Sequence, residues 1–161
     1  MQLQFDFEDR PDALLTCDEI YGKADEELLR RLGEDRRLEK KSIGVHGKAL
    51  GEYFSMWANT SPEGGVIVVG IRNDATIEGC SRAGQDRVNQ IEKAGATYCP
   101  DAQVAVKQVQ VHRDHDGKLD FVLVFRVKYH SSKVVRTVDG RAFIRRGDSK
   151  MELGSPDEIR Q

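Results

Sequence analysis

The spacing of apolar side chains predicts three helices in the first two thirds of the chain. Between residues 46 and 58, apolar side chains recur at i, i+3, i+4 and i+7, namely at Leu50, Tyr53, Phe54 and Trp57. This spacing is typical of one face of an amphipathic helix. A shorter helix is predicted over residues 25–32, where Asp25 is a favourable N-cap and Gly33 a favourable end signal. Residues 86–98 carry the third helical pattern.

Continuous or alternating apolar runs predict strands in the middle and at the end of the chain. The runs 64–71 and 121–127 are rich in valine, isoleucine or other apolar residues. They are too short for buried helices, so they predict strands that are covered on both faces. Valines alternate with other residues between 104 and 111, but the alternation shifts by one residue at Lys107 and Gln108. This shift predicts a β-bulge.

Turn signals and the order of the elements predict the fold class. Asp116-Gly117 and Asp139-Gly140 are hairpin signals, the second between strand patterns at 134–138 and 142–146. A weaker strand pattern covers residues 36–41. Helices early in the chain and hairpins later predict an α+β domain, with a mixed, largely antiparallel β-sheet and two or three helices packed against it.

Length and composition indicate one domain behind a polar lead-in. The chain has 161 residues, of which 39% are hydrophobic and 32% charged, values typical of one soluble globular domain. We expect an acidic lead-in over residues 1–24 and a single domain over residues 25–161. Residues 155–158 (Ser-Pro-Asp-Glu) predict the start of a helix just before the chain stops. That pattern indicates either an excerpt of a longer protein or a short terminal helix packed on the sheet.

Signals for membranes, secretion and zinc are missing from the sequence. No apolar run approaches the ~20 residues of a membrane-spanning helix, and the N-terminus is acidic where a signal peptide would be basic. The three cysteines, Cys17, Cys80 and Cys99, form no Cys-x-x-Cys pair. These features predict a cytoplasmic protein with reduced thiols and no structural zinc.

Charge is distributed unevenly along the chain. The formal net charge is −2, but residues 1–28 hold nine carboxylates against two cations. Residues 121–150 hold eight cations against two carboxylates, and two further lysines follow each other at 40 and 41. A basic face on a mildly acidic protein is compatible with phosphate binding. The predicted phosphate contacts are Lys40, Lys41, Arg136, Arg145, Arg146 and Lys150.

Two carboxylates and a lysine form the most informative polar pattern. Glu34 and Glu39 flank the start of the predicted strand 36–41, and Lys41 follows two residues after Glu39. Side chains alternate along a strand, so Glu39 and Lys41 share one face. A carboxylate can hold a divalent ion while a lysine orients or polarises water or phosphate. The pattern therefore makes metal-dependent phosphodiester cleavage one candidate chemistry.

Three motifs in a fixed order resemble the Schlafen-type AlbA-like domain family. The first is the Glu34, Glu39 and Lys41 pattern, and the second is a helix ending in Trp-Ala-Asn-Thr at 57–60, followed by Gly64-Gly65 at the start of a strand. The third is Phe-Ile-Arg-Arg-Gly-Asp-Ser at 143–149. Together the motifs cover residues 25 to 160.

The resemblance implies an α+β domain that binds nucleic acid. In Schlafen proteins two glutamates and a downstream aspartate form a metal-dependent ribonuclease centre. By that resemblance Glu34, Glu39 and Asp74 would hold Mg²⁺ or Mn²⁺, with Lys41 near the scissile phosphate. The chain departs from the family pattern at residues 72–73, where Arg-Asn replaces the family's Asp-Asp, and at Lys40, where the family has phenylalanine.

Three functions remain open from the sequence. The first is a regulatory, non-catalytic module that binds RNA or DNA and needs no metal or other cofactor. The second is a metal-dependent endoribonuclease of Schlafen type, and the third is an oligomerisation or regulatory module without nucleic acid. Schlafen relatives carry two copies of this fold in one chain, so a single copy is also predicted to form a homodimer.

Overall fold

The structure is a computed structural model, and it describes residues 11–154. Five α-helices occur in the order α1 (Cys17–Lys23), α2 (Glu26–Arg31), α3 (Gly47–Ala58), α4 (Gln85–Glu92) and α5 (Ala94–Tyr98). Six strands are β1 (Leu38–Lys41), β2 (Gly65–Val69), β3 (Gln103–His112), β4 (Leu119–Lys128), β5 (Ala142–Arg146) and β6 (Ser149–Leu153). Short 3-10 turns lie at Asp12–Leu14 and Ser81–Ala83.

The strands form one mixed sheet and one separate hairpin. The four-stranded sheet has the order β1-β2-β4-β3. Strand β1 runs parallel to β2, and the β2–β4 and β3–β4 pairs are antiparallel. Strands β5 and β6 pair antiparallel with each other. Helix α3 connects the two parallel strands, as a parallel pair requires a crossover. The predicted α+β class with a mixed, largely antiparallel sheet is confirmed.

Helices cover both faces of the four-stranded sheet. On one face, Ile67 and Phe125 pack into a core with the helices α3, α4 and α5 and with β5. On the other face, Val66 and Val124 pack into a second core with α1 and α2. Because β2 and β4 are covered on both sides, every position of β2 is buried and apolar or glycine.

The predicted bulge in β3 is wrong. The pairing of β3 with β4 continues without interruption across Lys107 and Gln108. The valines shift from even-numbered to odd-numbered positions because the two halves of β3 are buried on opposite faces of the sheet. Val104 and Val106 pack against the core under α3 to α5, while Val109 and Val111 belong to the core under α1 and α2.

Other local predictions are refined by the structure. The helical pattern 86–98 is interrupted at Lys93 and forms two helices. The strand predicted over residues 134–138 is reduced to an isolated bridge between Arg136 and Ala142, and β5 pairs with β6 instead. Residues 17–23, within the polar lead-in, form a helix whose start is closed by reciprocal hydrogen bonds of Thr16 and Glu19. The predicted helix start at 155–158 lies outside the described residues.

All three cysteines are free and buried. Burial raises the pKa of Cys17 and Cys80 to about 12 and that of Cys99 to about 11. Their thiols therefore stay protonated at neutral pH and act as small apolar side chains. None of the helices between residues 11 and 154 has the length and apolar character that a bilayer crossing needs.

Candidate nucleic-acid interface

Strand β1 directs its polar side chains to two opposite faces of the sheet. Glu39 and Lys41 are register partners of Ile67 and Val69, two residues whose side chains face α3. Directly opposite residues share a face, and side chains alternate along a strand. Glu39 and Lys41 therefore lie on the α3 side of the sheet, and the Glu39 Oε2 to Lys41 Nζ distance is 3.7 Å. The predicted pairing of these two side chains on one face agrees with this placement.

Glu34 and Glu39 form a hydrogen-bonded carboxyl pair. Glu34 Oε2 also accepts a hydrogen bond of 3.0 Å from the backbone N–H of Lys40. Burial, the hydrogen bond to Glu34 and the charge of Glu34 raise the pKa of Glu39 to about 7. Burial alone would raise the pKa of Glu34, but the hydrogen bond with Glu39 and the Lys40 N–H outweigh it and lower that pKa. Below pH 7 the two carboxyls therefore carry about one negative charge, and a second charge is added as the pH rises through 7.

Two lysines from different strands contact the ring of Tyr53. The Nζ of Lys41 lies 4.6 Å from the ring centroid, and the Nζ of Lys150 lies 4.5 Å from it. These distances are within the range of cation–π attraction. Lys150 is also held by Glu52 at 2.7 Å. Helix α3 thus supplies a ring and a carboxylate that bring lysines from β1 and β6 together.

The β5–β6 hairpin adds Arg145 to this group. Arg145 and Lys150 are direct cross-strand partners and therefore share a face of the hairpin. The Arg145 guanidinium lies near Asp35 and Glu39, where its charge favours the ionised carboxylates, although burial and Glu34 keep the pKa of Glu39 raised. Arg145 Nε donates to the backbone carbonyl of Gly147 at 2.9 Å. We name the surface formed by Lys41, Tyr53, Arg145 and Lys150 the Tyr53 face; Glu34 and Glu39 form its rim.

Asn59 holds the hairpin against α3. Its Nδ2 donates to the carbonyls of Val135 and Phe143, each at 2.9 Å, and its Oδ1 accepts from the N–H of Val135 at 2.7 Å. Ser55 on the previous turn accepts from the N–H of Phe143 at 3.1 Å. These bonds connect the end of α3 to β5, so they set the position of Arg145 relative to Tyr53.

Lys40 does not belong to the interface that the sequence predicts for it. Its side chain points to the α2 side of the sheet and is 5% exposed. The Nζ donates to the carbonyls of Leu29 and Leu32 at the end of α2. Lys40 thereby satisfies backbone carbonyls that a helix end leaves without partners. Burial lowers the pKa of this ammonium group, which has a structural role and does not reach solvent phosphate.

The two other predicted phosphate contacts, Arg146 and Arg136, are exposed but lie outside the Tyr53 face. Arg146 is exposed and occupies the opposite face of β5 from Arg145, because adjacent strand residues alternate. Arg136 is exposed in the segment before β5, where its guanidinium donates to the carbonyl of Gly140 at 3.1 Å. Of the six predicted phosphate contacts, Lys41 and Lys150 meet at Tyr53, and Arg145 lies beside Lys150 on the same face of the hairpin.

Asp74 is not joined to the two glutamates. It lies in the turn after β2, where its Oδ1 accepts from the N–H of Thr76 at 3.0 Å. It lines an open cavity of about 510 Å³ together with Lys41, Arg72 and Asn73. Within residues 11–154, no group of three or more His, Cys, Asp or Glu side chains is close enough to hold a metal ion. The donors present therefore do not fit the predicted Mg²⁺ or Mn²⁺ site of Glu34, Glu39 and Asp74.

Sequence reasoning missed the structural supports of the Tyr53 face. The helical spacing places Tyr53 on the apolar stripe of α3, yet Tyr53 lies at the rim of that stripe and is half-buried. Glu52 precedes it and accepts ion pairs from Lys150 and Arg141, at 2.7 Å and 3.0 Å. The sequence does show a carboxylate beside a tyrosine at the edge of an apolar stripe, which could have indicated a polar contact there. The partners of this carboxylate, however, are about 90 residues away in sequence.

The comparisons with known proteins agree with this architecture. No match was found among curated proteins. Among solved structures, the DIP2311 protein from Corynebacterium diphtheriae is similar with a TM-score of 0.52 and 18% identity over 79% of this chain. The matched region is 25% of that protein, and the likeness shows a shared fold. The sequence of residues 34–154 matches the Schlafen, AlbA_2 family. This match covers more than half of the chain, which therefore belongs to the Schlafen AlbA_2 family.

Proposed function

We propose that this domain binds nucleic acid through the Tyr53 face and acts as a regulatory, non-catalytic module. The observation that carries the proposal is that Lys41 and Lys150, from two different strands, meet over one aromatic ring, with Arg145 beside Lys150 on the same face of the hairpin. Membership of the Schlafen AlbA_2 family supports a role connected with nucleic acids.

The Tyr53 face has the chemistry of a phosphate-binding surface. Lysine and arginine side chains provide most of the affinity of proteins for nucleic-acid backbones. Here they are pre-positioned, because Tyr53 and Glu52 restrict Lys150, while Tyr53 and Glu39 restrict Lys41. Pre-positioned side chains lose less conformational entropy when they bind a ligand.

Two exposed arginines lie close in sequence to members of the Tyr53 face. Arg36 and Arg146 are exposed, and their guanidinium groups have no ion-pair or hydrogen-bond partner within residues 11–154. Arg36 lies in the turn that leads into β1, and Arg146 follows Arg145 at the end of β5 but lies on the opposite face of that strand. Unpaired guanidinium groups at this position can contact phosphates without first breaking an internal ion pair.

Binding without cleavage is proposed because the carboxylates are not arranged as three metal ligands. Glu34 and Glu39 hydrogen-bond to each other, and Lys41 and the charge of Arg145 face them. Asp74 is instead engaged in its own turn. The pair therefore serves to set the charge of the binding face in this proposal.

Fluorescence anisotropy tests the proposal directly. Labelled structured RNA, single-stranded RNA and duplex DNA are titrated at several salt concentrations, with and without Mn²⁺. For three neutralised phosphates we expect a log–log salt slope of about −2 to −3. Lys150→Gln should reduce both affinity and slope, and Lys128→Gln, on an exposed position of β4, is the matched control. Absence of salt-dependent binding to all three nucleic acids would overturn the proposal.

A further inference from the structure

The two edges of the four-stranded sheet are treated differently by the fold. At the β1 edge, the outward N–H of Lys40 is capped by the Glu34 carboxylate at 3.0 Å. The backbone of Leu38 forms a bridge with Asp35. These contacts occupy the outward N–H and C=O of Leu38 and the outward N–H of Lys40, to which a further strand would bind. The β1 edge is therefore closed by the preceding loop.

The β3 edge is closed only at its last residue. The N–H of His112 is bound by the Glu26 carboxylate, and its carbonyl accepts from Arg30 at 3.1 Å. Outward-facing residues alternate along an antiparallel pair, so the next ones are Gln110, Gln108, Val106 and Val104. Their outward N–H and C=O groups have no hydrogen-bond partner within residues 11–154.

The side chains along this edge do not protect it. Natural edge strands usually carry prolines, bulges or several charged residues that prevent pairing with another strand. Between Gln103 and Val111 there is no proline, the ladder has no bulge, and Lys107 is the one charged residue. The Nζ of Lys107 is occupied above the Tyr21 ring, 4.5 Å from its centroid. The edge is long, regular and almost neutral.

We propose that two copies of this chain pair β3 with β3, antiparallel, about a two-fold axis at Lys107. The outward residues 104, 106, 108 and 110 are symmetric about position 107, so the set is complementary to itself. Val104 then pairs with Gln110, and Val106 with Gln108, and every outward N–H and C=O of these four residues gains a partner. A neutral edge carries no charge pattern that would select an acidic or basic peptide, which favours a second copy as the occupant.

The pairing joins two sheets into one and leaves the Tyr53 faces accessible. Strand β1 is the opposite edge of each sheet, so each Tyr53 face lies at an outer end of the joined sheet. The two Lys107 residues lie opposite each other at the axis, where like charges weaken the contact. Self-association is therefore expected to strengthen as salt increases, opposite to nucleic-acid binding.

Sedimentation equilibrium of the full chain tests the dimer. The wild type should sediment with twice the 18.1 kDa chain mass at high micromolar concentration. Gln108→Lys combined with Gln110→Lys should give a folded monomer, because charges on an edge oppose strand pairing, and its unfolding temperature should fall only by the stabilisation that dimerisation gives the wild type. Gln90→Lys, at an exposed position of α4, is the matched control and should remain dimeric. A monomeric wild type, or a double variant that stays dimeric, would overturn the proposal.

A mixing experiment tests the position of the axis. With the axis at residue 107, the wild-type dimer has Lys opposite Lys, the Lys107→Glu dimer has Glu opposite Glu, and the mixed dimer has Lys opposite Glu. An equimolar mixture of the two chains should therefore contain more heterodimer than the statistical half. Lack of preference would place the axis away from Lys107 and reject this register. Hydrogen exchange separates one more outcome: protected Val106 and Gln108 amides in a monomer would mean that another segment of the same chain covers the edge.

Discussion

Lys40 and Lys41 are identical side chains at neighbouring positions, yet they have opposite environments. Lys40 is buried on the α2 side, where its ammonium group satisfies carbonyls of Leu29 and Leu32. Lys41 is half-buried on the α3 side, where it contacts Glu39 and Tyr53. The difference shows that a lysine pair is not one basic site when it lies in a strand. One lysine closes a helix end, and the other belongs to the proposed binding face.

The largest expected effect separates the two lysines by stability. Lys40→Ala removes packing and leaves two helix-end carbonyls without their donor, so the free energy of unfolding should fall by about 2–4 kcal/mol. Lys41→Ala should cost about 1 kcal/mol or less, because its ion pair is partly solvated. Urea denaturation of both variants measures the difference. Equal losses would contradict the separate roles of the two faces.

A second comparison uses the neighbouring arginines of β5. Arg145→Glu places a carboxylate on the Tyr53 face and should weaken nucleic-acid binding about tenfold or more, since it replaces attraction to phosphate by repulsion. Arg146→Glu changes the outer face of the hairpin and should weaken binding by a few-fold at most. Anisotropy titrations at constant salt measure both affinities. Comparable effects would show that the ligand does not distinguish the two faces of the hairpin.

The carboxyl pair should make the α3 side sensitive to pH. The pKa of Glu39 is raised to about 7, so this group gains negative charge as pH rises from 6 to 8. Ionisation places charge near phosphate, so affinity should decrease over that range. Since the folded pKa lies above the unfolded value, stability is also lost as pH rises through 7, on the order of 1 kcal/mol.

Glu39→Gln is the matched variant for this pH dependence. It keeps the shape of the side chain and removes its ionisation, so affinity and stability should both become flatter between pH 6 and 8 and be higher than in the wild type at pH 8. Parallel anisotropy and urea titrations at the two pH values measure this. An unchanged pH profile in the variant would assign the effect to other groups.

The smallest expected effect concerns cleavage. Asn73→Asp restores a carboxylate at a position where the family has aspartate, beside Asp74 and Lys41 in the open cavity. Because the Glu34–Glu39 pair is not assembled with Asp74 as a three-ligand site, we expect no Mn²⁺-dependent cleavage of structured RNA by the wild type or the variant. Gel electrophoresis of labelled RNA measures cleavage. Cleavage by the variant alone would contradict this expectation, and it would mean that the wild type lacks only one carboxylate for catalysis.

Much of the local structure could be predicted because its causes are local. The stripe from Leu50 to Trp57 predicted α3, and the apolar run 64–71 predicted β2, since each pattern repeats with the period of its own element. The shared face of Glu39 and Lys41 followed from the same period. The bulge was a wrong prediction because the parity of the β3 valines reflects which helices cover each half of the strand, and that is a property of distant segments.

The sequence by itself determined the fold class, the family motifs and the alternation that separates Lys40 from Lys41 and Arg145 from Arg146. These depend on backbone periods and on residues close to each other in the chain. Only the tertiary structure decided which member of each pair lies on the proposed binding face, and that Glu52, Tyr53 and Asn59 organise it. Helix α2 covers one side of β1, and α3 with the β5–β6 hairpin covers the other. Such choices depend on contacts between distant residues, which no local spacing specifies.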